Sequence, residues 1–223
     1  SGSDSNVFRS ITIHNLTGGE GHEDGGGGDG GISTGIDLNS AKYNIFEKVA
    51  ITDLFGADGN SGNFSTGILI IKHSWDNNEN SFDNNITPTF YEDGWNKVDS
   101  SKINTVDGQP ILYFYDMDNL YLEGFDINSS IAMISFGSGF TSTGEGDVSS
   151  ALFLLEVDNS VIKNLNISGF KGVFGGDGTK WSGGGQRGGI AGLLSGIYAE
   201  SSSNNSFQNL RIFNLTGGQG GDG

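Results

Sequence analysis

The sequence contains no cysteine, only 2 prolines among 223 residues, and no apolar run approaching the about 18 residues that a membrane-spanning helix requires. Without cysteine the chain has no disulfide framework. Basic residues are also scarce, since 11 Lys and Arg stand against 27 Asp and Glu, a formal net charge of −16. Because a polyanion repels phosphate backbones, nucleic acid is excluded as a partner. An acidic chain of this kind is expected to be secreted or at the cell surface.

Glycine and phenylalanine, by contrast, are abundant, with 39 and 15 residues. The glycines are concentrated in blocks such as 25–28 and 183–185, and apolar segments lie between the blocks. The recurrent Phe, Ile and Leu indicate a packed core, whereas the glycine blocks indicate loops. The chain therefore alternates core segments with loops, and one domain over 1–223 is expected.

One apolar pattern recurs along the chain, consisting of an anchor followed by apolar residues three, five and eight positions later. It is clearest at 6–19 and again at 205–218, where the apolar positions are identical. The copy after Phe82 is degraded, because Asn85 and Thr87 occupy apolar slots. Alternation at a fixed phase predicts short strands stacked in successive coils. The anchors, 36–45 residues apart, are Phe8, Phe46, Phe82, Leu122, Ile162 and Phe207.

A second apolar segment recurs once in each period, and it is expected to form a further stacked strand. Its copies lie at 35–38, 67–70, 111–114, 151–154 and 196–199. A constant offset of 40 between 111–127 and 151–167 predicts the register. That register pairs Leu112 with Leu152, Tyr113 with Phe153, Phe114 with Leu154 and Ile127 with Ile167, and it sets Glu123 against Lys163 as a favourable cross-strand pair.

An asparagine precedes each anchor by two or three residues, which marks a corner of the coil. Stacked asparagine side chains can hydrogen-bond along the axis of such a stack. The alternative is that asparagine merely tolerates the turn conformation. These asparagines are Asn6, Asn44, Asn80, Asn119, Asn159 and Asn205.

With these phrases the chain resembles the right-handed parallel β-helix repeat proteins, a group that includes bacterial and archaeal surface proteins, autotransporter-type adhesins and polysaccharide-active enzymes. The resemblance implies an all-β solenoid of about five to six coils, whether the 1–223 domain stands alone or is a fragment or repeating unit of a longer solenoid. The Gly-rich loops also look like those of polymorphic outer-membrane proteins. Since every coil turns in the same phase, the loops are expected along one edge. They are predicted at 17–33, 55–65, 87–109, 128–149 and 169–195.

Two acidic pairs are the candidates for catalysis, because the offset of 40 stacks Asp116 on Glu156 and Asp118 on Asp158. Adjacent carboxylates can act as an acid/base pair in glycoside hydrolysis. They lie at a predicted corner, however, where aspartate commonly forms turns, and the turn interpretation is favoured. Aromatic residues that could stack on sugars, or pack locally, are Trp75, Phe90, Tyr91, Trp95 and Trp181.

Oxygen-rich loop residues offer a weak calcium site, and no other cofactor is expected. The candidate ligands are Glu20, Glu23, Asp24 and Asp29. Seven Asn-x-Ser/Thr sequons could carry glycans if the chain is secreted and the side chains are exposed. They are Asn15, Asn63, Asn85, Asn128, Asn166, Asn204 and Asn214.

The matching phrases at 6–19 and 205–218 predict that the chain associates with itself. A solenoid end exposes unpaired strand edges, and stacking them head to tail builds a filament. Residues expected to take part are Leu16, Gly18, Gly19, Leu215, Gly217 and Gly218. The sequence therefore favours a non-enzymatic extracellular structural protein, a filament subunit or an adhesin or stalk segment. The alternative is a carbohydrate-binding or polysaccharide-cleaving β-helix, including a tailspike-like protein.

Overall fold

The computed structural model describes residues 5–18, 33–39, 41, 43–55, 65–71, 89–92, 94–129, 132–137, 148–171, 180–181, 184–185 and 193–217. These residues form β-strands joined by turns, with a single 3-10 turn at Ser100–Lys102. In chain order the strands are β1 Val7–Arg9, β2 Thr12–Thr17, β3 Ser33–Asn39, β4 Ile45–Glu47, β5 Ala50–Phe55, β6 Ser65–Ile71, β7 Thr89–Glu92, β8 Trp95–Val98, β9 Thr105–Val106, β10 Gln109–Pro110 and β11 Leu112–Asp118. They continue with β12 Leu120–Glu123, β13 Asp126–Asn128, β14 Ala132–Gly137, β15 Val148–Asp158, β16 Val161–Lys163, β17 Asn166–Ser168, β18 Lys180–Trp181, β19 Gly184–Gly185, β20 Leu193–Glu200, β21 Ser206–Gln208 and β22 Arg211–Phe213. Nowhere in this described part does an α-helix occur that is long and apolar enough to cross a membrane.

Two ladders of short parallel strands carry the recurrent phrase, so the predicted stacking is confirmed. The first ladder holds the anchors and consists of β1–β4 and β8–β12–β16–β21; the second consists of β2–β5–β9 and β13–β17–β22. In the first ladder Phe8 pairs with Phe46, and Ile162 pairs with both Leu122 and Phe207. The second ladder repeats this register five residues later, as in the pairs Ile13–Ile51 and Ile167–Ile212.

A third ladder, β11–β15–β20, confirms the predicted offset of 40 in register. Leu112 pairs with Leu152, which pairs in turn with Ile197. The other predicted members of this ladder are placed differently. β3 pairs with β6, and the other edge of β6 pairs with β14, which runs antiparallel to β15. The expected single stack of second segments is therefore wrong at the step from 67–70 to 111–114, because β14 occupies the edge of β6.

The predicted loop 87–109 is wrong, because it contributes rungs to both ladders. β8 pairs with β12, placing Asn96 opposite Leu120, and β9 pairs with β5, placing Val106 opposite Ile51. The buried Asn96 side chain donates to the Asp118 carbonyl at 2.7 Å. A polar residue thus fills an inward position, and the apolar alternation that marks the other rungs is lost.

Phe82, the expected anchor, lies outside the described residues. Strands also interrupt two other predicted loops, β14 in 128–149 and β18–β19 in 169–195.

The core lies between the ladders and is filled by alternate residues in the strands of the first ladder, whereas Leu112, Tyr113 and Phe114 of β11 are buried in succession. In β12, Leu120 and Leu122 are buried, whereas Tyr121 and Glu123 point outward. Phe8 stacks on Phe46 with ring centroids 4.8 Å apart and planes 6° apart, as parallel rungs require. Fully burying each large apolar side chain stabilises the fold by about 1.5–3 kcal/mol, and both the repeated phrase, with Phe46 and Phe170, and the third ladder, with Tyr113 and Phe153, contribute such side chains.

Left-handed residues mark the corners at fixed positions relative to the anchor. Such backbone conformations disfavour most side chains, and they are tolerated best by glycine, asparagine and aspartate. This explains Asn119 and Asn159, whereas Asn6, Asn44 and Asn205 lie one residue closer to their anchors and are not left-handed. The left-handed residues three positions before the anchor are Ser5, Tyr43, Asn119, Asn159 and Asn204, and those two positions after it are Ser10, Lys48, Gly124, Asn164 and Asn209.

Two corner glycines allow a matched test of this geometry. Gly169 has φ +83°, and a Cβ placed there would lie 2.5 Å from Asn128 Oδ1, whereas Gly124 has φ +78° and open space around it. We expect Gly124→Ala to lower the free energy of unfolding by about 1 kcal/mol, from left-handed strain alone. Gly169→Ala should cost more than this, because the Asn128 side chain must turn away and the Ser129 carbonyl oxygen lies only 3.3 Å from the added Cβ. Urea denaturation followed by tryptophan fluorescence measures both, and equal losses would contradict the steric argument.

Candidate functional site

The stacked acids lie at the corner that ends the third ladder. Asp118 pairs in register with Asp158. Asp116 and Glu156 directly precede the paired residues Met117 and Val157. Asp116 and Glu156 have φ of 48° and 54°, so each forms a left-handed kink. The predicted juxtaposition is therefore present, and it coincides with a turn.

Each carboxylate of the Asp118–Asp158 pair accepts hydrogen bonds from the next coil. Asp118 Oδ1 accepts from the Asn159 side-chain amide at 3.3 Å. Asp158 Oδ1 accepts from the Ser203 hydroxyl at 2.7 Å and from the Ser203 backbone N–H. These bonds tie successive corners together, which is the turn interpretation of the acids; an acid/base role stays a prediction.

Polar side chains two residues before the anchor connect successive coils, which confirms the predicted axial hydrogen bonding. Asn44 Oδ1 accepts from the backbone N–H of Asn6 at 3.0 Å. Asn205 Oδ1 likewise accepts from the Ser160 N–H at 3.0 Å, and its amide donates to the Val157 carbonyl at 2.7 Å. The side chain of each coil therefore binds the backbone of the coil before it.

A second polar series runs along the outer corners and has the same direction. Asn204 donates to Asn159 Oδ1 at 3.3 Å, and Asn209 donates to Asn164 Oδ1 at 2.7 Å. Asn164 in turn donates to Glu123 Oε1 at 2.9 Å. Since each amide donates to the preceding rung, the series gives the stack of parallel strands a chemical polarity.

The outward face of the first ladder carries an aromatic and charged cluster. The rings of Trp95 and Tyr121 meet edge to face with centroids 5.9 Å apart. Lys163 Nζ lies 4.9 Å from the Tyr121 ring centroid and 3.4 Å from Glu123 Oε1. The hydrogen bond from Tyr121 is the main cause that lowers the pKa of Glu123. Trp95 thus packs against its neighbours; Trp75 lies outside the described residues, as do the side chains of Phe90, Tyr91 and Trp181.

The four predicted calcium ligands, Glu20, Glu23, Asp24 and Asp29, lie outside the described residues. Within the residues that are described, no group of three or more His, Asp and Glu side chains could hold a metal ion.

The sequons differ in how accessible their asparagines are. Four have exposed side chains, Asn15, Asn128, Asn204 and Asn214. Asn166 is half-buried and donates to Asp126 Oδ1 at 2.8 Å, so a glycan there would break an inter-coil bond. Asn63 and Asn85 lie outside the described residues.

The two ends of the ladders expose residues whose equivalents are buried elsewhere. Phe207 and Ile212 are 44% and 42% exposed, whereas their ladder partners Ile162 and Ile167 are both 0% exposed. At the opposite end Phe8 and Ile13 are half-buried, whereas their partners Phe46 and Ile51 are 1% and 0% exposed. β1 and β2, like β21 and β22, each pair along one edge only within the described strands. These four strands form two open ends, which we call the β1–β2 end and the β21–β22 end.

The residues predicted to assemble lie around these ends. Leu16 and Leu215 are half-buried and pack against the core, each at the eighth position after its anchor. Gly18 donates from its N–H to the Phe55 carbonyl at 2.8 Å, and Gly217 is exposed. Gly19 and Gly218 lie outside the described residues.

Comparison with known proteins gives no relative from which a function can be carried over. No family model, curated protein or solved structure matches the chain. The functional argument therefore depends on the two open ends and on the hydrogen-bonded corners.

Two residues that connect the stacked strands, Asn104 and Asn96, were missed by sequence reasoning. Asn104 is fully buried, accepts from the Val49 N–H at 2.9 Å and donates to the Phe46 carbonyl at 2.8 Å. Both are asparagines at inward positions, and a buried amide that satisfies backbone groups has the same sequence signal as an exposed turn residue.

Proposed function

We infer that the chain is a non-enzymatic extracellular structural protein, the subunit of a surface filament or a segment of an adhesin or stalk. It is proposed to be one right-handed parallel β-helix of about five to six coils, whose copies stack end to end while Gly-rich loops pack along one edge. The observation that supports this most directly is the exposure of Phe207 and Ile212 at the β21–β22 end.

The energetics of the open ends favour a covering partner. An exposed strand edge presents unpaired N–H and C=O groups, which other strands readily pair with. Burying the half-exposed side chains of Phe207 and Ile212 would stabilise the association of two copies by about 1 kcal/mol or more for each residue. A second copy offers both an open edge and the same apolar phrase at its β1–β2 end, so it can satisfy both requirements at once.

The corner chemistry supports a scaffold over an enzyme. Asp118 and Asp158 accept hydrogen bonds from the next coil, so their carboxylates already have a structural use. The alternative of a carbohydrate-binding or polysaccharide-cleaving β-helix stays a prediction. A screen of the protein against an oligosaccharide array, followed by an assay for cleavage of any polysaccharide bound, tests that alternative.

Secretion and glycosylation are part of the same proposal. The exposed side chains at Asn15, Asn128, Asn204 and Asn214 support it. Mass spectrometry of the protein from its native source should find glycans at some of these four asparagines and none at Asn166. A glycan at Asn166 would contradict the accessibility argument.

Assembly is tested on the native protein by electron microscopy and sedimentation velocity, at about 0.15 M salt so that repulsion between the acidic copies is screened. We expect filaments with an axial repeat near six rungs, about 29 Å at about 4.8 Å per rung, because the first ladder has six strands in each copy. Sedimentation should show a mass distribution that grows with protein concentration. Dispersed single copies at every concentration would overturn the filament proposal.

A further inference from the structure

The first and last coils match in backbone conformation as well as in sequence. Each left-handed corner of the first coil has a counterpart 199 residues later. The φ angles are 58° and 54° for Ser5 and Asn204, 54° and 51° for Ser10 and Asn209, and 56° and 52° for Asn15 and Asn214. The anchors Phe8 and Phe207 keep the same offset. The two ends therefore share phase and corner geometry, and β1 and β21 are both three residues long, whereas β2 has six residues and β22 has three.

We propose, building on the proposed function, that copies join head to tail in one register, with each residue of the β21–β22 end opposite the residue numbered 199 lower in the next copy. In this register Phe207 faces Phe8, and Ile212 faces Ile13. Outside the core, Gln208 faces Arg9 and Arg211 faces Thr12. The junction repeats the arrangement that already joins neighbouring coils within one chain.

The apolar contacts select this register over a slipped one. Phe8 already stacks on Phe46 at 4.8 Å, and Phe207 of the preceding copy extends that column by one ring. Ile212 extends the column that contains Ile13 and Ile51 in the same way. A slip of one residue would set the inward Phe207 against an outward residue of the next copy, Val7 or Arg9, and both apolar columns would be broken at the junction.

The polar groups at the junction fit the same register. Within the chain, the asparagine two residues before the anchor accepts from the backbone N–H of the preceding coil. Asn6 of the next copy would accept from the Asn205 N–H by the same rule. Ser5 and Ser10 would donate to Asn204 and Asn209, which continues the series of outer corners.

The charged side chains at the junction are compatible with this register, and the register gives the filament a direction. Gln208 lies between Lys163 of its own chain and Arg9 of the next copy, so no two cations are adjacent. Arg9 keeps its partner Glu47, with 2.7 Å between Nε and Oε2. Because the β21–β22 end meets only the β1–β2 end, the contact is heterologous, and it generates a filament with a direction.

Cysteine crosslinking tests the register without background, because the chain has no cysteine. The variant with Arg9→Cys and Gln208→Cys places two outward side chains on adjacent rungs, about 4.8 Å apart, within disulfide reach. The matched control combines Arg9→Cys with Ser206→Cys, also outward but two residues away, at about 8 Å between Cα atoms. After mild oxidation we expect a ladder of covalent multimers from the first variant, with crosslinked chains at least tenfold more abundant than in the control.

A second pair of cysteine substitutions leaves the Arg9–Glu47 contact intact. Thr12→Cys with Arg211→Cys probes the second ladder at the same offset and should give the same multimers. Mixing the Arg9→Cys and Gln208→Cys single variants should give crosslinked dimers and nothing longer, as a directional contact requires. Assemblies that sediment but crosslink through 9 and 206, or through neither pair, would overturn the register and leave the proposed function standing. Absence of assembly in the unmodified chain would overturn the proposed function itself.

Discussion

Replacing Asn104 by alanine is expected to lower the free energy of unfolding by about 2–4 kcal/mol. The Asn104 side chain is 0% exposed and bridges two backbone groups of the preceding coil, the Val49 N–H and the Phe46 carbonyl. Alanine would leave both groups buried without this partner, and each unsatisfied group costs about 1–3 kcal/mol. Urea denaturation, followed by tryptophan fluorescence, measures the loss. The protein concentration is kept below the one at which copies assemble.

Gln109→Ala is the matched control for this prediction. The Gln109 side chain also accepts a backbone N–H, that of Asn128 at 2.9 Å, but this hydrogen bond is exposed to water. Water can replace the lost acceptor, so we expect a loss of less than about 1 kcal/mol. If both variants lose the same free energy, burial does not set the importance of Asn104.

Changing Ile212 to aspartate is expected to weaken association between copies by about 100-fold or more. Ile212 is 42% exposed, and in the proposed junction its side chain would be enclosed against Ile13 of the next copy. Enclosing a carboxylate without a partner costs several kcal/mol, and each 1.4 kcal/mol is about tenfold in association. Sedimentation velocity over a dilution series measures the change as a rise in the concentration needed for assembly.

Phe213→Asp is the control, because it adds the same charge one residue away on the same strand. Phe213 is 37% exposed and alternates with Ile212, so it points away from the core, with the Arg211 guanidinium 5.1 Å from its ring centroid. We expect less than about a fivefold change in association, as is typical of a rim position. Equal effects of the two substitutions would mean that net charge, and not contact at the core, controls assembly.

Much of the fold could be predicted because the stacking repeats one local pattern. Anchors such as Leu122 and Ile162 were identified from alternation alone, and the offset of 40 gave the pairing of Leu112 with Leu152 as the structure has it. The contact between Glu123 and Lys163 followed from the same offset. In a parallel ladder one correct pair fixes all the others, since every step along a strand keeps the register.

The rung formed by β8 and β9 could not be predicted, because the buried polar residues Asn96 and Asn104 interrupt its inward apolar positions. Asn96 and Asn104 are recognisable as core residues only when the backbone groups they satisfy are known, and for Asn104 those groups lie 55 and 58 residues earlier in the chain. The reversal at β14 was missed for a related reason. An apolar segment reveals its own alternation, but it does not reveal which of two available edges it will pair with.

The sequence by itself determined the period, the phase of the inward residues and the corners, because these depend on side-chain alternation and on residues that tolerate left-handed backbone. Only the tertiary structure decided which polar side chains are buried, which hydroxyls and amides Asp118 and Asp158 bind, and that Phe207 and Ile212 remain half-exposed while their partners are enclosed. The physical reason is that burial and hydrogen bonding depend on neighbours contributed by other coils. A residue at the end of a ladder has the same local pattern as one in its middle and differs from it only in lacking one of those neighbours.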